Sequence, residues 1–158
     1  MTALFPRTFE LPAAPPPLSA TDAAAAIWLA PSTYIRLRRE TAGLTHAQVA
    51  DKLVAGGTAL PVEREIARLL VRDLERHGVT ARQPSALITL RRIFPLDPDI
   101  YWQLVYRQGE PPRLCHTCGC SYFDSCQLGG HDSADLCDLI SDTLCSRCAT
   151  AQAEGAAA

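Results

Sequence analysis

Residues 115–126 read CHTCGCSYFDSC and residues 137–148 read CDLISDTLCSRC, and these two segments hold all seven cysteines of the chain. One cysteine pair with the spacing C-x2-C lies at the start of the first segment, and a second such pair lies at the end of the second segment. In that spacing a tight turn directs two thiolates at one ion, and Gly119 frees the backbone to close the first turn. The two pairs complete a tetrahedral site, so the sequence predicts a structural zinc ion bound by Cys115, Cys118, Cys145 and Cys148.

Three further cysteines are not used by this site, namely Cys120, Cys126 and Cys137. They are consistent with a second zinc ion whose fourth ligand is His131 or His116, with a thiolate shared with the first ion, or with buried free thiols. An iron–sulfur cluster is another alternative because its cysteines have comparable spacings, although two separated pairs favour zinc. The favoured interpretation of His131 is an ordinary loop histidine. The sequence therefore predicts one zinc ion and leaves a second ion open.

The N-terminal residues 1–30 are rich in Pro and Ala and show no sustained period, which predicts a flexible arm with one short helix. Prolines interrupt its apolar stretches, so we expect no secretory signal. The longest apolar run, residues 23–30, is too short to span a bilayer. The expected compartment is the reducing cytoplasm, where a dense cysteine cluster favours metal binding over disulfides.

Charge is unevenly distributed along this chain, whose net charge is −2. Residues 1–114 carry 14 Arg or Lys against 11 Asp or Glu, whereas residues 115–158 carry one Arg against six acids. A contact with the phosphates of a nucleic acid is therefore expected in the first part of the chain.

Start and stop signals predict five helices between the arm and the cysteines. Ser, Thr and Asp cap helix starts, Pro is tolerated in a first turn, and Gly follows a last turn. A Thr hydroxyl and a Gln side chain three residues later can also satisfy each other's backbone amides. The predicted starts are Ser32, the Thr45–Gln48 capping box, Pro61, Ser85 and Asp97, and the first and third helices end at Gly43 and at about His77.

The stretch IRLRRETAGLTHAQVA at residues 35–50 resembles the first two helices of the Xre/Cro-type helix-turn-helix family. The resemblance continues over about residues 32–107 through DLERHG at 73–78, Pro84, Leu87, Leu90 and FPLD at 94–97. It implies an all-α domain that binds double-stranded DNA. Two features depart from the family. About ten more residues than usual separate Ala50 from Glu75, and Leu37 and Arg38 stand where the family more often has a polar residue followed by Leu.

The cysteine segments contain CxxCGC, then DxC, then CxLIxDxLCxxC. This order resembles a cysteine-rich module of phage and prophage proteins, in which an Xre-like domain can precede the module. Leu139 stands where that module usually has Trp, and residues 127–136 resemble an expanded loop. The resemblance implies a bacterial or phage origin but little about activity.

These patterns together predict a mainly α fold. A five-helix helix-turn-helix domain over residues 31–108 is followed by a linker over 109–114. A small zinc-stabilised cysteine-rich module then covers residues 115–149, and residues 150–158 form a disordered tail.

Arginines recur at intervals of four along the third predicted helix, at Arg64, Arg68 and Arg72, and so lie along one ridge. Guanidinium groups suit phosphate oxygens and guanine edges, which makes these residues candidates for DNA contact. The alternative is a solvated face on which neighbouring acids neutralise the arginines. His46 and Gln48, at the start of the second helix, are candidates for contact with the DNA backbone, and the alternative for Gln48 is a capping role alone.

The predicted function is that of a DNA-binding transcriptional regulator, with zinc in a structural role. The third helix carries too many apolar residues for one stripe, which suggests that a second face packs against another subunit in a homodimer. The alternative function is a protein-interaction adaptor, such as a phage factor that modulates a host complex through the acidic zinc module. An enzyme is not expected because four thiolates leave no open coordination position and no HxE or HExxH motif occurs.

Overall fold

The structure is a computed structural model that describes residues 28–126 and 136–156. This part of the chain is mainly helical, which confirms that the fold is mainly α. Extended pairing in it is limited to isolated bridges such as those between Leu114 and Ser121 and between Leu139 and Cys145. The helices are α1 (Pro31–Thr41), α2 (His46–Ala55), α3 (Arg64–Leu74), α4 (Pro84–Arg91), α5 (Pro98–Tyr106) and α6 (Ser146–Ala156), with a 3-10 turn at Pro61–Glu63 before α3.

Helix α1 begins two residues earlier than predicted. Its first residue is Pro31, and Ala30 is the N-cap, without a side-chain hydrogen bond. Proline can start the helix because it has no amide hydrogen to leave unpaired. The predicted cap, Ser32, is instead buried within the first turn. The predicted stop is confirmed, since Gly43 follows the helix with a φ of +68° that favours glycine.

The capping box at the start of α2 is confirmed. The backbone amide of Gln48 donates to Thr45 Oγ1 over 3.2 Å, and the Thr45 amide donates to Gln48 Oε1 over 2.8 Å. The apolar side of α2 then buries Val49, Ala50 and Leu53. Helix α2 is thereby fixed at its first turn and along its length.

Helix α3 is shorter than the predicted span from Pro61 to about His77. The first three residues form the 3-10 turn, in which the Glu63 carboxylate accepts the Leu60 amide over 2.9 Å. After Leu74 the backbone bonds tighten, so that the amide of Arg76 reaches the carbonyl of Asp73 over 3.0 Å. Bonds to the third residue back are common where an α-helix ends.

Helices α4 and α5 close the core over α1. Helix α4 begins at Pro84 and not at Ser85, while Asp97 caps α5 as predicted by accepting the amide of Asp99 over 2.9 Å. Tyr101 is fully buried and its hydroxyl accepts the Ala81 amide over 2.8 Å. The largest side chains in this core are fully buried: Tyr34, Ile35, Leu87, Phe94, Leu96, Tyr101 and Leu104.

Two predicted boundaries are corrected near the cysteines. Residues 109–114 are not simply a linker, because Leu114 belongs to the buried core of the helical domain. The tail predicted as disordered from residue 150 contains the end of α6, Ser146–Ala156. Its alanines favour helix, and Cys148 is buried in the first turn of α6 and anchors that helix to the cysteine cluster.

Some predictions fall on residues that the structure does not describe. They concern most of the N-terminal arm, most of the expanded loop, and His131. Within the described residues, no helix is both long enough and apolar enough to cross a membrane.

Candidate metal centre and nucleic-acid interface

All seven cysteines converge on one cluster. Each is buried and none forms a disulfide. The partly buried side chains of Leu139 and Leu144 pack against them. Seven small thiols and two partly buried leucines give the module little apolar volume to bury, so the arrangement fits a module that is held together by metal.

The four cysteines predicted as zinc ligands lie together. The Sγ atoms of Cys115, Cys118, Cys145 and Cys148 are all within 4.8 Å of one another. The first pair is closed by a turn in which the Gly119 amide donates to the Cys115 carbonyl over 2.7 Å, with Gly119 at a φ of +74°. The second pair straddles the start of α6. These four sulfurs are placed so that they can hold one metal ion.

A second set of four sulfurs overlaps the first. It consists of Cys118, Cys120, Cys126 and Cys145, again within 4.8 Å of one another. Cys137 adjoins this set, with its Sγ 3.5 Å from that of Cys120 and accepting the Cys126 amide over 3.0 Å. Cys120, Cys126 and Cys137, which are not in the first set, therefore belong to the same cluster as that set.

The described histidine of the module is not part of either set. His116 donates its backbone amide to the Thr143 carbonyl over 2.8 Å, and burial lowers the pKa of its imidazole. Within the described residues, both candidate metal sets consist of sulfur alone. His131, the other histidine predicted as a ligand, lies outside the described residues.

Burial and mutual hydrogen bonding move the thiol pKa values apart. Burial raises the pKa of Cys137 to about 11 and that of Cys148 to about 12. Burial also acts on Cys115, but backbone hydrogen bonds at Cys145 and Cys118 outweigh it and lower the pKa of that thiol to about 7. Without a cation the cluster therefore holds some sulfurs as thiols and some as thiolates, and the thiolate is the form that binds metal.

Arg38 of α1 reaches into the cysteine module although its side chain is almost fully buried. Its Nε donates to the Pro95 carbonyl over 2.9 Å, and its Nη2 donates to the Asp124 carbonyl over 2.8 Å. Its Nη1 lies 3.5 Å from the Cys118 carbonyl. A guanidinium group has five N–H donors in a rigid plane, so it can join several backbone carbonyls at once.

Asp124 is the counterpart of Arg38 in the module. Its carboxylate accepts the Tyr34 hydroxyl over 3.1 Å and the Ser121 amide over 2.7 Å. Burial, followed by the charge of Asp124, raises the pKa of Tyr34 above its ordinary value. Thr41 also donates to the Cys118 carbonyl over 3.1 Å, so that α1 contacts both ends of the segment between Cys118 and Asp124.

Sequence reasoning noticed Arg38 only as a departure from the helix-turn-helix pattern. In the structure Arg38 joins α1 to the module, together with Tyr34 and Thr41. Gly119 is part of the same contact: a Cβ atom there would lie 2.9 Å from Cδ of Arg38. A charged residue at an otherwise apolar helix position was the available signal.

The three arginines predicted to contact DNA lie on α3. Two of them are paired with acids, Arg64 Nη2 with Asp51 Oδ2 over 3.0 Å and Arg68 Nε with Glu65 Oε2 over 2.8 Å. The bond from Arg64 also lowers the pKa of Asp51. Arg72 is exposed and makes no ion pair with the described residues. The structure thus places the ridge at the surface, with two of its charges partly neutralised.

His46 and Gln48 both have partners within the protein. His46 Nε2 lies 2.9 Å from Glu75 Oε2, and Glu75 also accepts Nε and Nη2 of Arg39 over 2.6 and 2.8 Å. Gln48 completes the capping box. A contact of His46 with DNA therefore requires it to leave or share Glu75, an acid whose side chain is only 6% exposed.

Comparison with known proteins identifies no family model that matches the chain, no matching curated protein and no matching solved structure. We therefore derive the function from the residues and their geometry.

Proposed function

We propose that the protein is a DNA-binding transcriptional regulator of the helix-turn-helix type and that zinc holds its cysteine module in shape. One observation carries the proposal. Helix α3 packs against α2 and presents Arg64, Arg68 and Arg72 at the surface, on the helix that the resemblance assigns to the major groove. The connection between α2 and α3, residues 56–63, accommodates part of the extra length that distinguishes this chain from the family pattern.

The ion pairs on α3 are compatible with this role. Arg64, Asp51 and Glu65 are exposed and Arg68 is partly exposed, so solvent already screens both pairs. Surface pairs of this kind contribute little to stability, and an arginine can exchange a single carboxylate for the denser charge of DNA phosphates. Asp51 and Glu65 then weaken the nonspecific binding of DNA without abolishing it.

The second flank of α3 remains available to another subunit. Successive residues of an α-helix are about 100° apart, so Ile66 lies about 200° from Arg68 around the helix. Ile66 and Leu70 are exposed on the flank that faces away from the arginines, and Val62 is exposed in the 3-10 turn before α3. The same helix can therefore contact DNA with one flank and a second copy with the other, as a dimer that binds two half-sites would.

Zinc suits the cysteine module because four buried thiolates form the tetrahedral sulfur site that zinc prefers. The role is structural, since four thiolates leave no coordination position for a water or a substrate. For the same reason the proposal includes no catalytic activity.

Selection of binding sites from random DNA, followed by a gel-shift titration, tests the proposal. We expect an affinity that falls steeply with salt, and a loss of at least several-fold when Arg68 and Arg72 are both replaced by Ala. Arg82→Ala is the matched control, because Arg82 is an exposed arginine outside α3. If no DNA fragment is shifted even at low salt, the proposal is refuted.

A second function is favoured by a different surface. Tyr122 and Phe123 are each 82% exposed and meet edge to face with ring centroids 5.5 Å apart. Aromatic side chains are enriched in protein interfaces, and this pair lies on the acidic cysteine module. An adaptor that binds a protein through this module would retain partner binding when the α3 arginines are removed and would lose it in a Tyr122→Ala, Phe123→Ala double variant. A regulator that binds DNA through α3 would respond in the opposite way.

A further inference from the structure

The number of cysteines matches a particular kind of metal centre. A tetrahedral ion takes four ligands, so two separate ions need eight, and two ions that share one sulfur need seven. The chain has seven cysteines, and all seven belong to one buried cluster. A single ion would leave three buried thiols without a function, at positions that already adjoin the first site.

Cys118 is the sulfur that touches both parts of the cluster. Its Sγ lies 3.7 Å from that of Cys145, which belongs to the first site, and 3.3 Å from that of Cys126, which does not. In a tetrahedral site with metal–sulfur bonds of about 2.3 Å, neighbouring sulfurs are about 3.8 Å apart. The two distances are therefore compatible with one metal ion bound by Cys118 and Cys145 and a second metal ion bound by Cys118 and Cys126.

The remaining sulfurs provide three ligands for a second ion. Cys120 and Cys126 lie in one set with Cys118. Cys137 lies 3.5 Å from Cys120, sulfur to sulfur, and its Sγ is held in place by the Cys126 amide. Cys145 also belongs to both sets, and Cys118 is assigned as the bridge because its Sγ lies 3.3 Å from that of Cys126.

We propose that the module holds two zinc ions bridged by the Cys118 thiolate. The first ion is bound by Cys115, Cys118, Cys145 and Cys148, and the second by Cys118, Cys120, Cys126 and Cys137. Each bound ion replaces the protons of the thiols that it ligates, and these protons are released to solvent. This assignment needs no ligand from His131 or His116.

Arg38 places a positive charge beside such a metal centre. Seven thiolates and two divalent ions leave three negative charges in a buried place, and an uncompensated buried charge is costly. The Arg38 guanidinium lies against the Cys118 carbonyl and carries a positive charge close to the bridging residue. Arg38 also pairs with the Asp124 carboxylate, so its guanidinium offsets only part of the negative charge of the centre.

Metal analysis of the full chain, combined with NMR of the protein loaded with NMR-active cadmium, tests the proposal. We expect two ions per chain and two cadmium resonances that are coupled to each other, because the coupling passes through the shared sulfur. One ion per chain would overturn the proposal. Two resonances without mutual coupling would also overturn it, because they would mean two separate sites.

Variants assign the ligands. Cys137→Ala removes a ligand of the second ion only, and we expect a folded protein with one ion per chain. Cys118→Ala removes the bridge and should reduce the metal content further than Cys137→Ala does. Thr117→Ser, between two ligands but exposed, is the matched control and should keep two ions. If Cys137→Ala keeps as many ions as the unaltered chain, the assignment is overturned, and no result here depends on DNA binding.

Discussion

Arg38 and Asp124 join the helical domain to the cysteine module through a buried ion pair, in which Arg38 Nε lies 3.3 Å from Asp124 Oδ2 and the two side chains are 1% and 10% exposed. The pair lies within a network, because Arg38 also donates to the carbonyls of Pro95 and Asp124 and Asp124 also accepts the hydroxyl of Tyr34. The free energies of unfolding of the helical domain and the cysteine module are thereby coupled.

Arg38→Ala should lower the free energy of unfolding by about 3 to 5 kcal/mol, because it leaves the buried Asp124 carboxylate without its counter-ion and removes the donor to the Pro95 and Asp124 carbonyls. Urea unfolding followed by circular dichroism measures the change. Arg36→Ala is the control on the same helix, since Arg36 is exposed and should change stability little. Equal effects of the two variants would contradict a specific role for Arg38.

Gly119→Ala tests the close approach of the module to α1. The residue has a φ of +74°, and a Cβ atom would lie 2.9 Å from Cδ of Arg38 and 3.3 Å from Cβ of Leu37. We expect a loss that exceeds the roughly 1 kcal/mol of backbone strain alone. Gly43→Ala is the matched control, with a φ of +68° and no atom within 4 Å of the added Cβ. If the two variants melt at the same temperature, the contact with Arg38 has no energetic weight.

The parts of the fold that local chemistry determines could be predicted from the sequence. The Thr45–Gln48 capping box, the Asp97 cap and the glycine stop at Gly43 depend on neighbouring residues, and all three are present. Trp102 also stacks on Tyr106, with ring centroids 5.7 Å apart, because residues at this spacing meet on one face of any α-helix.

Structural features that depend on contacts between distant segments of the chain could not be predicted from the sequence. Arg38 and Asp124 are 86 residues apart, and nothing in either segment indicates that they meet. The four cysteines in C-x2-C pairs could be assigned to one site because each pair is local. The placement of the other three cysteines depends on how both segments fold over each other, and only the structure brings Cys137 against Cys120.

Glu75→Gln tests the link between α1, α2 and the end of α3. Glu75 accepts two hydrogen bonds from Arg39, and His46 Nε2 lies within hydrogen-bonding distance of its carboxylate. Loss of its charge leaves the buried Arg39 guanidinium without its principal counter-ion, so we expect a destabilisation of about 2 to 4 kcal/mol. Glu40→Gln is the control, because Glu40 also contacts Arg39 but is half exposed and should matter less. Thermal unfolding monitored at equal protein concentration distinguishes the two.

Metal retention should depend on pH in a definite direction. Burial raises the pKa of Cys137 to about 11 and that of Cys148 to about 12, so at neutral pH a bound cation must displace protons from both thiols. Affinity for the metal therefore rises with pH and falls as the solution becomes more acidic. Dialysis at a series of pH values followed by metal analysis measures this, and retention that does not change with pH would contradict thiolate ligation.

The exposed apolar flank of α3 predicts a homodimer. Ile66 and Leu70 are 59% and 60% exposed, and they line a groove of about 340 Å³ beside α4. Apolar side chains that stand in a row on one helix face usually mark a surface that another chain covers. We expect the unaltered chain to sediment as a dimer and Ile66→Glu to sediment as a monomer. Ile88→Glu should remain dimeric, because Ile88 is similarly exposed on α4 but does not line the groove. A monomer at all concentrations of the unaltered chain would show that this flank serves another purpose.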